Sequence, residues 1–220
     1  MSLRKIKHPK SSHYPKNHSL IKPYWIKRRE VKHISWVGLF TEESKYPSIT
    51  PENDWNKWCG LSSYPAWHSR KNSFMVAWRY NHDKETFQLM PYYHDTRGNT
   101  YNELSNHPII DVPTDRLFFV DLYFDRRNKS VRCELRVLPT EIPFNDLWRT
   151  KILIPYDQEP TLSFTTPTGH VRPSWFNRTI RSYFGGDNPP THKDVYLWKG
   201  RYWHIRPEGN SRDYSIENAK

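Results

Sequence analysis

The chain of 220 residues has only two cysteines, Cys59 and Cys133. Two are too few for a disulfide framework, and no C-x-x-C spacing suggests a zinc ribbon or a redox dithiol. Two buried free thiols are the expectation. No apolar run approaches the roughly 20 residues that cross a bilayer as a helix, so no membrane partner is expected. The first nineteen residues, MSLRKIKHPKSSHYPKNHS, are basic but hold no hydrophobic stretch, so no secretory signal peptide is expected. Helical periodicity is scarce as well, with only a weak and proline-flanked signal over 139–149. Self-similarity at a fixed period is absent, which disfavours propellers and solenoids. Gly185-Gly186 lacks the Lys-Ser/Thr and following helix of a phosphate loop. His8, His13 and His18 recur every five residues, a spacing that neither helix nor strand turns into a compact site, so no metal and no cofactor are expected.

What the chain does have is aromatic residues, 15% of the total with ten Trp and fourteen Tyr, and eighteen prolines against eight glycines. Flat rings suit half-buried pleated surfaces, and prolines mark non-helical corners. Charge is unevenly placed. Residues 1–33 carry ten basic residues against Glu30, a net of +9, which leaves 24 basic and 22 acidic residues for the rest of a chain of net +11. Residues 1–33 are therefore expected to form an extended or disordered basic arm. Its residues Arg4, Lys5, Lys7, Lys10, Lys16, Lys22, Lys27, Arg28 and Arg29 are candidates to hold another subunit of an assembly, or nucleic acid through counterion release.

Beyond the arm, alternation of apolar and polar residues predicts about eleven strands over 34–206, followed by a polar tail over 207–220. Ile34 to Phe40 reads as a strand, and Asp54 to Gly60 as either strand or tight turn. In Ser73–Tyr80 the residues Phe74, Val76 and Trp78 share the core side, as do Phe87 and Leu89 in Thr86–His94. Phe118, Val120, Leu122 and Phe124 form the apolar set of Leu117–Asp125, and Val131, Cys133, Leu135 and Val137 that of the next strand. Thr100–Leu104, Lys151–Ile154, Thr161–Thr165, Arg178–Phe184, Lys193–Trp198 and Arg201–Ile205 complete the set. Many short alternating strands without crossover helices make an all-β, two-sheet antiparallel β-sandwich the economical architecture, with a closed barrel as the alternative.

Two segments add a resemblance. Trp67-His68-Ser69-Arg70-Lys71-Asn72-Ser73-Phe74-Met75-Val76-Ala77-Trp78-Arg79-Tyr80 and Arg181-Ser182-Tyr183-Phe184-Gly185-Gly186-Asp187-Asn188-Pro189-Pro190-Thr191-His192 resemble landmarks of concanavalin-A-like jelly-roll proteins, in the polysaccharide-lyase-like and lectin-like group of bacteria and bacteriophages. The resemblance implies a jelly roll, and either glycan binding or polysaccharide lyase activity. The chain lacks the Gln-Ile-His triplet and the arginine-glutamate-rich strand of the alginate-lyase-like members, so their catalytic residues do not carry over. With no export signal, the resemblance implies a non-catalytic lectin-like component of a larger assembly, a bacteriophage virion protein, in the cytoplasm before assembly.

If the polar sides of the strands lined one concave sheet, they would gather Arg79, Gln88, Tyr92, His94, Asp121, Tyr123, Arg132, Glu134, Arg136 and Tyr183. Rings that pack on pyranose faces and donors for hydroxyls and carboxylates suit an anionic polysaccharide. The candidate glycan contacts are Arg79, Gln88, Tyr92, Tyr123, Arg132, Arg136, Tyr183 and His192. A lyase would neutralise the uronate carboxylate with Arg79 or Arg70 and draw its acid and base from Tyr92, His94, Tyr183 and His192. Asp121 and Glu134 are the one carboxylate pair placed on adjacent strands, the minimum for a glycosidase. A solvated face with cross-strand ion pairs is the alternative to all of these.

Overall fold

The computed structural model describes residues 3–14, 25–26, 33–46, 55–63, 70–141, 157–174, 177–180, 182–184 and 193–204. They form thirteen strands: β1 (Arg4–His8), β2 (Trp25–Ile26), β3 (His33–Leu39), β4 (Asn56–Ser63), β5 (Ser73–Asn81), β6 (Thr86–His94), β7 (Thr100–Tyr101), β8 (Ile110–Val112), β9 (Arg116–Asp125), β10 (Ser130–Glu141), β11 (Leu162–Thr165), β12 (Asn177–Ile180) and β13 (Val195–His204). One sheet has the order β1-β13-β3-β9-β10-β11, the other β2-β12-β4-β5-β6-β7 with β8 beside β6. Every pairing is antiparallel. Early strands pair with late ones, β1 and β3 with β13, β2 and β4 with β12, so the chain wraps as a jelly-roll β-sandwich. The expected all-β two-sheet fold is therefore what forms.

The alternation read from the sequence sets the core. Phe74, Val76, Trp78, Phe87 and Leu89 from one sheet meet Phe118, Val120, Leu122, Phe124, Val131, Cys133 and Leu135 from the other in a single buried cluster. Phe40, just past β3, stacks on Phe87 at 4.3 Å and Phe118 at 4.9 Å between ring centroids, and so touches both sheets. Fully burying one such ring stabilises by about 1.5–3 kcal/mol. Gly38 makes room for this layer, since a Cβ there would overlap the rings of Phe118 and Trp58. Cys59 and Cys133 are free and buried, and burial pushes the Cys59 thiol up to about 12.

Several expectations change. Within the segment expected as an extended or disordered arm, Arg4–His8 forms an edge strand of the sandwich, with Ile6 and His8 turned inward and fully buried. Backbone pairing with β13, together with ion pairs Lys5–Glu43 at 2.6 Å and Lys7–Asp194 at 2.5 Å, holds it there. Lys16, Lys22, Lys27, Arg28 and Arg29 lie outside the described residues, as does the tail over 207–220. β13 is one continuous strand of ten residues rather than two pieces, because β1 and β3 pair it from either side. Ile110–Val112 adds a strand outside the expected set, and Glu103–Ser105 closes a 3-10 turn where strand was expected. Of the weakly helical 139–149, residues 139–141 end β10. The expected strand 151–154 lies outside the described residues.

His8 has no hydrogen-bond partner on either ring nitrogen and meets Phe184 edge-on at 5.2 Å. Burial, reinforced by the charge of Lys199, lowers its pKa to about 3. The unfolded chain, with its histidine near 6.5, therefore binds the proton that the folded chain refuses. Stability from this residue is complete above about pH 6.5 and is lost as pH falls toward 3, at about 1.4 kcal/mol per pH unit. Urea unfolding should show about 2 kcal/mol of loss between pH 6.5 and 5 that disappears in His8→Leu. Equal slopes in the two proteins would contradict the assignment.

Candidate functional site

The outward sides of β4, β5 and β6 carry a different chemistry from the core. A bulge between Lys57 and Cys59 in β4 lets Trp58 and Cys59 both face inward while Lys57 faces out. Lys57 is 7% exposed; its Nζ donates to the Trp55 carbonyl at 2.7 Å and sits 4.1 Å from the centre of the Tyr92 ring. Its backbone exchanges two hydrogen bonds with Tyr183, of 2.8 and 3.0 Å, which brings the segment after β12 alongside β4. Tyr183 and Phe184 then split by alternation. Phe184 enters the core against Trp78 and Tyr46, and Tyr183 stays on the outer side with its hydroxyl 3.9 Å from Met75 Sδ.

Lys57, Arg70, Tyr92, His94, Gly98, Thr100 and Tyr183 line one cleft of about 340 Å³. Its floor is β6, where Tyr92 and His94 lie two residues apart on the same side, their rings 5.3 Å apart edge to face. His94 Nδ1 and Thr100 Oγ1 are 3.0 Å apart. The wall is the turn between β6 and β7, built on Asp95, whose Oδ1 accepts from the backbone amides of Arg97, Gly98 and Asn99 at 2.8–2.9 Å. Gly98 has φ +100, a conformation that side chains disfavour, so a glycine suits this turn. Burial pushes the Tyr92 phenol up, the neighbouring Tyr183 pushes the same way, and Thr100 and Arg70 pull back more weakly. A raised phenol stays protonated at neutral pH and is therefore a hydrogen-bond donor. Among the described residues the lining thus holds two cationic side chains, two phenols, an imidazole and a hydroxyl, and no carboxylate.

The expected single polar face is two faces on opposite sides of the sandwich. Arg79, Gln88, Tyr92, His94 and Tyr183 belong to the outer side of the β5–β6 sheet, whereas Asp121, Tyr123, Arg132, Glu134 and Arg136 belong to the outer side of the β9–β10 sheet. Period-2 alternation assigns a side to each residue but not a sheet to each strand. Within the first group Arg79 lies apart from the cleft lining. Its Nε donates to Gln88 at 2.8 Å, its two Nη atoms to Glu103 at 3.2 Å each, and its guanidinium covers the Trp55 ring at 4.3 Å. Gln88 in turn donates to Asp111 at 2.8 Å. His192 lies outside the described residues.

The second group forms a packed polar network. Arg136 donates to Asp121 at 2.7 Å, to Glu134 at 2.6 Å and to the Gln158 carbonyl at 3.1 Å. Asp121 also lies 2.9 Å from His33 Nε2 and accepts from the Ser35 hydroxyl. The Tyr123 ring has Arg132 at 4.2 Å and His33 stacked at 4.1 Å, so two residues already occupy its faces. Asp121 and Glu134 are buried and joined through one guanidinium, not set across a cleft as a glycosidase requires. In the basic N-terminal segment Lys5 and Lys7 are in ion pairs within the chain, and Lys10 gives its amide to Asp194. Among the described residues no group of three or more His, Cys, Asp or Glu could hold a metal ion.

Lys57, Gly98 and Thr100 were not anticipated from sequence as part of the site. The bulge hides Lys57, because it breaks the alternation on which the outward assignment rests. Arg97-Gly98-Asn99 reads as a turn from its sequence, and nothing in it pointed to a cleft beside β6.

No family model matches the chain. No curated protein matches it either. Among solved structures it is similar to the CBM40 of the Ruminococcus gnavus IT-sialidase, at 11% identity over 88% of this chain and 82% of that one, with a TM-score of 0.34. It is also similar to a native heptameric SAP-like pentraxin from Limulus polyphemus, at 8% identity over 92% and 76% of the two chains, with a TM-score of 0.36. Scores this low transfer no activity and no ligand.

The network around Arg136 makes a sharp demand on stability. Removing the guanidinium leaves two buried carboxylates facing each other, so Arg136→Met should cost about 3–5 kcal/mol in chemical denaturation. A loss below about 1 kcal/mol would mean that the arginine is a surface contact after all.

Proposed function

We propose that this protein binds an acidic saccharide in the cleft between Lys57, Arg70, Tyr92 and Tyr183 and does not cleave it. The observation that supports this most is the lining itself: among the described residues, two cations with phenolic and hydroxyl donors, and no carboxylate. A sugar carboxylate gains charge-assisted hydrogen bonds from ammonium and guanidinium groups, while its hydroxyls take donors such as Tyr92, Thr100 and Tyr183. Tyr92 and His94 stand on β6 and Thr100 follows a turn locked by Asp95, so these groups have little to lose in ordering when the ligand arrives. The ligand class is a uronate-containing or similarly carboxylated glycan. The wider setting, a component of an assembly such as a virion, remains a reading of the resemblance noted above.

Lyase chemistry is the second reading, because Tyr92, His94 and Tyr183 do share a cleft with Lys57 and Arg70. Elimination needs a base for the proton α to the carboxylate. Burial keeps the Tyr92 phenol protonated at neutral pH, so in that reading it would act as the acid for the leaving oxygen and the base would come from another residue of the cleft.

Titration calorimetry against alginate, glucuronan and polygalacturonate should detect binding to one or more of them. Arg70→Gln and Lys57→Met should each weaken it about ten- to a hundredfold, the loss expected for a hydrogen bond to a charged group. Absence of binding across the panel would contradict the reading. Unsaturated-uronate absorbance on incubation would replace it with the lyase.

A further inference from the structure

The N-terminal segment reaches Tyr183, a residue of the cleft lining, at Tyr14. After β1 the chain turns at Pro9–Ser12, where the Ser12 amide donates to the Pro9 carbonyl at 3.1 Å, and Ser11 takes φ 58. Lys7 pairs with Asp194, and the Lys10 amide donates to the same carboxylate at 2.9 Å. His13 is then bound twice to Phe184: its carbonyl accepts from the Phe184 amide at 2.9 Å, and its Nδ1 donates to the Phe184 carbonyl at 3.0 Å. Ser12 Oγ holds the next residue, donating to the Tyr14 carbonyl at 2.8 Å and accepting from the Tyr14 amide at 3.3 Å. Tyr14 therefore leaves a backbone fixed at several points, and its ring stands 6.0 Å from that of Tyr183 at 42°.

We infer that Tyr14 supplies a second saccharide subsite beside the cleft, an aromatic platform for the sugar unit next to the acidic one. This rests on the reading of the cleft given above. Tyr14 is 48% exposed, one of two large hydrophobic side chains that are exposed among the described residues. An isolated exposed ring needs no explanation. This one is held beside a residue of the cleft lining by an ion pair, a turn, and one backbone and one side-chain bond from His13 to Phe184, and it makes an angled corner with that lining residue. A pyranose ring offers an apolar face of C–H groups that packs on such a platform, and the platform is indifferent to charge. The two subsites then differ in chemistry: the Lys57–Arg70 cleft selects a carboxylated unit, and Tyr14 accepts its neighbour along the chain. The ligand is an oligosaccharide of at least two units rather than a monosaccharide.

The test uses the full chain and uronate oligosaccharides of one to four units prepared from alginate, glucuronan and polygalacturonate, with affinities from titration calorimetry. Tyr14→Ala should weaken binding of the longer oligosaccharides by about three- to tenfold, the scale of an aromatic contact, with a smaller loss for the monosaccharide. Tyr14→Phe should restore the wild-type affinity, since the ring and not the hydroxyl makes the platform. Thermal unfolding of both variants checks that the sandwich is intact. If Arg70→Gln abolishes binding while Tyr14→Ala changes nothing, or changes every chain length by the same factor, the subsite is overturned and the cleft reading stands. If the wild type binds none of the ladder, both fall.

Discussion

The placement of Phe184 is the constraint on which the rest of the site depends. Its ring packs against Trp78, Tyr46 and His8 between the sheets, and its backbone ties both to His13 and, through Tyr183, to Lys57. Because successive residues of an extended chain point to opposite sides, burying Phe184 obliges Tyr183 to face outward over β4. The same anchor holds the N-terminal segment at the rim. One buried ring thus couples the core, the cleft wall and the segment that follows β1. Loss of that ring would be felt in binding as well as in stability.

A second constraint is the division of polar chemistry between the two outer faces. On the β9–β10 side, carboxylates and arginine neutralise each other in a buried network, a stabilising arrangement only while complete. On the β5–β6 side, acidic partners gather toward one end, where Glu103 and Asp111 engage Arg79, Gln88 and Lys84. At the other end the described lining of the cleft holds Lys57 and Arg70, and the Asp95 carboxylate in its wall is turned to the amides of its own turn. The contrast explains why arginines of similar appearance in the sequence differ in role: Arg79 and Arg136 brace the sheets, and Arg70 borders the cleft.

Alternation made the cores of β5, β6, β9 and β10 legible residue by residue, since Phe74, Val76 and Trp78 or Phe118, Val120 and Leu122 repeat every second position. It also placed Tyr92, His94 and Tyr183 outward, as they are. Partnership between strands was not legible, because pairing is set by packing across the sandwich rather than by local pattern, and residues of two opposite faces merged into one expected groove. β1 was obscured for a related reason: its inward positions are Ile6 and His8, and a histidine among lysines reads as polar. Lys57 was obscured by the bulge. The landmark at Tyr183-Phe184 was legible as a fold feature, while its partners Lys57 and His13 are far from it in sequence.

The central claim is that ligand chemistry belongs to the β5–β6 side and its rim. It is tested most directly by amide chemical-shift mapping of the ¹⁵N-labelled protein during titration with a uronate oligosaccharide. The account predicts perturbations at Lys57, Tyr92 to Thr100, Tyr183 and Tyr14, with residues 33–35, 119–123 and 132–136 unmoved. Perturbations centred on Asp121, Tyr123 and Arg136 would contradict it.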